Sequence, residues 1–209
     1  MMEPLTQQAI VLISGWTSGI SIYLTVALLG LSDRFHWISL PGDLKTLGHP
    51  VIIIAAIAVF VIEFVADKVP YVDSAWDSVH TFIRPLGAAG LGYLAGTDGG
   101  PVAQTLYAVL TGTIALDSHA VKASTRLAVN TSPEPFSNIA TSIAEHSFVI
   151  FIFWLFIKHP FIALGIVLAL LVLSYFILRL LWRFFVKVFR WLFPKRQESI
   201  DSGHGAALK

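Results

Sequence analysis

Residues 112–130, GTIALDSHAVKASTRLAVN, set ionisable groups inside a segment that would otherwise suit a lipid bilayer. Asp117, His119, Lys122 and Arg126 sit among Ile114, Leu116, Val121 and Leu127, and Thr111, Thr113, Ser118, Ser124 and Thr125 add hydroxyls. A charge at bilayer depth costs roughly 2.5–3.5 kcal/mol per residue on insertion scales, so such side chains turn toward a protein partner or a water-filled cavity. The chain around them is lipid-soluble: 56% of its 209 residues are apolar, 13% are charged, and the mean hydropathy is +0.74. A soluble domain carries about 25% charged residues. The expected class is an all-α integral membrane protein with a polar interior.

Apolar runs of about 20 residues match ~30 Å of hydrocarbon. They fall at 8–32, 50–67, 73–97, 102–128, 138–157 and from 160 onward, giving six transmembrane or re-entrant segments. The first holds Ser14, Gly15, Thr17, Ser18, Gly19 and Ser21, a cluster that either permits close helix contact or opens the helix. In the third, Pro85 followed by Gly87, Gly90, Gly92 and Gly96 predicts a broken or re-entrant helix. The connector 130–138 turns through Pro133 and Pro135, with Ser137 or Asn138 expected to cap the fifth helix. Beyond the sixth segment, a basic amphipathic extension suits the membrane surface, and the tail 194–209 reads as disordered.

The N-terminal MMEPLTQQAI has neither the basic region nor the cleavage site of a signal peptide, so the first segment is expected to be retained. Arg179, Arg183, Lys187, Arg190, Lys195 and Arg196 crowd the other end, which with an even number of spans places both termini in the cytoplasm. A shift of about 90 residues aligns Ser18-Gly19 with Thr111-Gly112, Arg34 with Arg126, Pro41 with Pro133, and Lys68-Val69-Pro70 with Lys158-His159-Pro160, the pattern of an inverted-topology repeat. Two three-helix halves, 1–97 and 98–193, are expected. The net charge of +1 gives no field for nucleic acid. The absence of cysteine removes disulfides, thiolate metal ligands and thiol catalysis.

Four constellations carry the polar chemistry. Glu63 and Asp67, four apart, share one helix face. Asp73, Asp77, His80 and Arg84 form a single stripe at i, i+4, i+7 and i+11. Asp77 and His80 are there the candidates for a divalent cation or a proton relay. Acid first and base last is equally the order of an ordinary dipole-matched surface helix. His119, Lys122 and Arg126 share a face at i, i+3 and i+7, with Asp117 turned elsewhere; their counter-charges must come from Glu63, Asp67, Asp73, Asp77 and Glu145. Asn138, Ser142 and Glu145 line one side of the fifth segment, while His146, about 100° round the helix, is expected only to contact a neighbour. No G-x-S-x-G, H-E-x-x-H or G-x-x-x-x-G-K-[ST] is present, so hydrolase, zincin and NTP-driven activities find no support.

The strings EFVADKVPYVDSAWDSVHTFIRP and SHAVKASTRLAVNTSPEPFSN resemble the hallmark segments of a family of small bacterial membrane proteins known as domain of unknown function 4126. The resemblance runs from about Gly15 to Phe176. It implies that Asp67, Lys68, Asp73, Trp76, Asp77, His80, Arg84, His119, Lys122, Asn130, Pro135 and Asn138 belong to a shared pattern and that the location is the bacterial inner membrane. It implies no activity. The expected function is a permease for a small ion or polar solute, with His80, His119 and Glu145 as the candidate groups for coupling it to protons. The alternative is a lipid-handling or structural membrane protein whose charges are internal salt bridges, and a metal-dependent intramembrane enzyme stands third. Expected partners are membrane lipid, the solute and, as a further candidate, a second copy of the chain. No nucleic acid and no cofactor are indicated.

Overall fold

The computed structural model describes residues 4–69, 71–130 and 135–192. Among them there are helices and no strands: α1 (Pro4–Ile20), α2 (Ile22–Arg34), a 3-10 helix (Gly42–Gly48), α3 (Pro50–Ala66), α4 (Val72–Ala95), a 3-10 turn (Thr97–Gly99), α5 (Gly100–Val129), α6 (Pro135–Lys158) and α7 (Pro160–Leu192). Two helices are long and apolar enough to cross a membrane, Phe136–Lys158 and Pro160–Lys187. A third span results if the 3-10 helix and α3, bent by 73°, count as one.

Charged side chains are buried beside an apolar core, and the outer surface is apolar as well. Glu63, Asp67, Asp73, Asp77, Arg84, Lys122 and Arg126 are buried. Val51, Ile54, Phe82, Leu86, Val102, Leu106, Leu168 and Val172 are exposed. An apolar surface of this extent, wrapped round buried charge, is stable only against lipid or a protein partner.

The first expected segment is two helices. The chain opens at Ser21, which is extended at φ −153° and whose hydroxyl accepts from Leu24 N at 3.3 Å to cap α2. The glycines of this segment also permit close contact: a Cβ on Gly15 would press on Thr111 and Ile114, and one on Gly19 would collide with Ser118 and the Ala115 carbonyl of α5. The expected second copy of this element, by contrast, runs unbroken through Gly112 to Val129.

The expected break at Pro85 is absent, and α4 continues through it. Contacts hold α4 in register on both sides of the proline. Arg84 is anchored by three elements, and Thr111 Oγ1 of α5 donates to Ala88 O at 2.7 Å. Packing thereby offsets the lost proline donor. Gly92 and Gly96 let α5 lie against this half of the helix, since a Cβ on either would strike Tyr107 or Gln104. The surface-helix expectation for the 73–84 stripe is also overturned: Asp73, Asp77, His80 and Arg84 are all buried.

Ser137 and Asn138 do not cap α6, which already starts at Pro135 and turns Asn138 inward. Pro133 and the tail 194–209 lie outside the described residues. The basic extension is a continuation of α7 over 33 residues, about 50 Å at 1.5 Å per residue, longer than the hydrocarbon core.

Candidate functional site

The polar interior forms where α1 ends and α3, α4, α5 and α6 converge. The last carbonyls of a helix have no partner in their own helix, and α1 ends here. Gly19 O accepts from Arg84 Nη1 at 3.3 Å, and Ile20 O accepts from Lys122 Nζ at 3.1 Å. The opening at Ser21 thus gives two backbone oxygens to two cations. The Ser21 hydroxyl also donates to the Glu63 carboxylate.

Arg84 is the sealed centre of one end. Its Nη2 lies 2.8 Å from Glu63 Oε1 and its Nη1 lies 3.0 Å from Asp77 Oδ1, with the Arg84 and Glu63 side chains wholly buried. Nη1 also lies 2.6 Å from His119 Nδ1. A guanidinium only donates, so Nδ1 accepts and the proton of His119 sits on Nε2. That Nε2–H donates to Thr81 Oγ1 at 3.0 Å, whose hydroxyl in turn donates to Asp77 O at 2.9 Å. His119 is therefore held as a neutral positioning group. His80 stands aside from the ion pairs: Nδ1 donates to Trp76 O at 2.8 Å, Nε2 accepts from the Tyr23 hydroxyl at 3.2 Å, and the ring stacks on Trp76. No group of three or more His, Asp or Glu suited to a metal ion, with or without His80 and Asp77, occurs among the described residues.

Asp67 is the hub of the other end. Its Oδ2 lies 2.9 Å from Lys122 Nζ, 3.6 Å from Arg126 Nη2 and 3.8 Å from His146 Nε2. Arg126 spans to α6, where Nη2 meets Glu145 Oε2 at 2.7 Å and Nη1 donates to Asn138 Oδ1 at 2.9 Å. Asp73 lies 3.9 Å from Arg126 and is fixed by Asn130 Nδ2 at 3.0 and 3.1 Å. Lys122 links the ends, 3.8 Å from both Asp77 Oδ1 and Glu145 Oε2.

Three of the expected residues do not join: His80, which among the described residues bonds only to Trp76 and Tyr23, Asp117 and Ser142. Asp117 accepts from Ser174 Oγ at 2.6 Å and ties α5 to α7. Ser142 is buried on the network side with no hydrogen bond from its hydroxyl among the described residues. Conversely, His146, expected to be a contact residue, faces Asp67 as well as the rings of Phe60 and Phe64. Its Nδ1 donates to Ser142 O at 2.7 Å, leaving Nε2 unpartnered beside the carboxylate. Ser21, Tyr23, Thr81 and the carbonyls of Gly19 and Ile20 were likewise not legible as partners. The hydroxyl-rich first segment was the one signal for all of these except Thr81, which lies in the third segment.

Two cavities reach this network from opposite sides of α5. One, of about 220 Å³, is lined by Ser74, Asp77, Ser78, Thr81, Ala123, Ser124 and Leu127. The other, of about 250 Å³, lies among α1, α5, α6 and α7 and has Lys122 and Glu145 in its wall. Asp77 of the first and Lys122 of the second are the two residues 3.8 Å apart.

The family model described as domain of unknown function (DUF4126) matches residues 9–180. The chain belongs to this family. The match takes in every charged residue of the network and all of α1 to α6 beyond the first few residues. No curated protein and no solved structure is similar enough to this DUF4126 chain to be matched.

Proposed function

We propose that the protein is a multi-span membrane permease that exchanges protons against a small ion through the network between the two cavities. The observation that carries this reading is a charge imbalance. Glu63, Asp67, Asp73, Asp77 and Glu145 are five carboxylates, and Arg84, Lys122 and Arg126 are the three described Lys and Arg side chains within 4.0 Å of them. Five less three leaves two negative charges uncompensated in a buried site, which protons or a cationic ligand must balance. Unpartnered acceptors for those protons are at hand in Asp67 Oδ1, Asp77 Oδ2 and His146 Nε2.

In this reading six segments cross or enter the bilayer, in two oppositely oriented halves, 1–97 and 98–193, with both termini in the cytoplasm of a bacterial cell. Proton coupling resides in the carboxylates and His146. His119, whose Nδ1 accepts from Arg84, takes no part in coupling in this reading. Proteoliposomes with an internal pH dye, offered a panel of small cations and anions, test this. Cation-driven pH change that falls at least tenfold in Asp77→Asn and Glu145→Gln is expected. Unaltered flux in both variants contradicts the assignment.

A structural reading draws on one specific observation, the complete burial of the Arg84–Glu63 pair. Were the whole network of that kind, neutralising Lys122 or Glu145 would unfold the protein and no solute would raise its melting temperature.

A further inference from the structure

The larger cavity differs from the rest of the network in what it offers a ligand. Its wall is apolar, built by Trp16, Ile20, Val121, Leu170, Leu173 and Ile177, and its two charged residues are Lys122 and Glu145. Those two are not equally available. The Lys122 ammonium is committed to Ile20 O and Asp67 Oδ2 at about hydrogen-bond distance, and its side chain is 1% exposed. Glu145 is 14% exposed, more than any other ion-paired member of the network. All of its hydrogen bonds and ion pairs among the described residues run through Oε2. Oε1 is left for a ligand.

We propose that this cavity is a binding site for an organic cation with an apolar body, a tertiary or quaternary ammonium whose charge lies against Glu145. Three features select that chemistry. The network carries an excess of two negative charges, so a cation is stabilised and an anion is not. The walls desolvate an apolar body at roughly 25 cal/mol per Å², and Trp16 is the residue type that best accommodates an ammonium. A bare metal ion, which needs six or so oxygen ligands, finds one carboxylate and a few hydroxyls. Binding itself is independent of the permease reading; the site rests on that reading only in naming the ion that the protein would exchange for protons.

The test is binding to purified full-length protein in detergent, with benzyltrimethylammonium as probe. Its neutral isostere neopentylbenzene and the anion phenylmethanesulfonate are the controls. Calorimetric titration is expected to show saturable binding of the cation at least tenfold tighter than of either control. In a weakly buffered solution, binding of the cation is expected to release protons. Glu145→Gln should weaken the cation at least tenfold. Ala144→Phe, which adds bulk at an uncharged position of the cavity wall, should abolish binding at an unchanged melting temperature. Equal binding of the cation and its neutral isostere would make the cavity a lipid groove and overturn the proposal. So would binding indifferent to Ala144→Phe, even if Glu145→Gln fails to fold. Binding without flux in liposomes would leave the site standing and remove the permease reading; flux without binding would do the reverse.

Discussion

Two carboxylate–guanidinium pairs of nearly equal length sit at opposite ends of the polar interior. Glu63–Arg84 measures 2.8 Å and Glu145–Arg126 measures 2.7 Å. They differ in their surroundings. The first pair is sealed at 0% exposure and tied to α1 by the Gly19 carbonyl and the Ser21 hydroxyl. The second has its carboxylate at the wall of a cavity. One chemistry thus serves two ends: where solvent and solute are excluded it fixes helices, and where a cavity meets it the same carboxylate becomes available to a ligand. Ion-pair geometry alone does not separate a staple from a site. Access does.

Breaking the sealed end should have the largest effect. Arg84→Ala leaves Glu63 without its ion-pair partner and Asp77 with Lys122 alone, 3.8 Å away, and should cost about 3–5 kcal/mol, the range for removing one partner of a buried pair. Thermal unfolding in detergent reads this as loss of a cooperative transition. Replacing both partners of the sealed pair, Glu63→Leu with Arg84→Met, should recover the share of that loss due to Glu63, while Asp77 still lacks Arg84. Gly19→Val comes next, because its side chain would collide with Ser118 and the Ala115 carbonyl. Overpacking of this kind costs about 1–3 kcal/mol, and the same melting experiment checks it. Glu145→Gln should lower stability by only ~1 kcal/mol, since Arg126 retains Asp67 O and Asn138, yet should remove ion-driven flux. Thr105→Ala, which loses only a bond to Pro101 O of its own helix and lines neither cavity, should cost at most ~1 kcal/mol and leave flux unchanged. A flux defect in Thr105→Ala would erase the proposed boundary of the site.

Much of this arrangement was legible in the one-dimensional pattern, because helical spacing fixes which residues share a face. The i, i+3, i+7 set of His119, Lys122 and Arg126 had to turn inward together, and the supply of counter-charges was short enough to name in full. What spacing cannot supply is the depth at which each helix meets its neighbour. Which carboxylate meets which cation therefore emerged only with packing, as did the approach of His146 to Asp67 from a direction that a 100° step had assigned elsewhere. Backbone groups are invisible to pattern altogether. The carbonyls of Gly19 and Ile20 enter because α1 stops at Ser21, and the Ser and Gly cluster signalled either contact or opening without saying that it does both. At Pro85 local chemistry predicted a break, and tertiary contacts through Arg84, Thr111 and the glycines of α4 overrode it.

The claim that Glu145 is the open end of a proton-coupled network has one most direct measurement. Wild-type protein in liposomes with a trapped pH dye is given an inward gradient of benzyltrimethylammonium, beside liposomes carrying Glu145→Gln. Entry of the cation is expected to drive protons out and raise internal pH in the wild type, with the response at least tenfold smaller in the variant. An internal pH that stays constant while the folded wild-type protein binds the cation, or that changes equally in both, would contradict it.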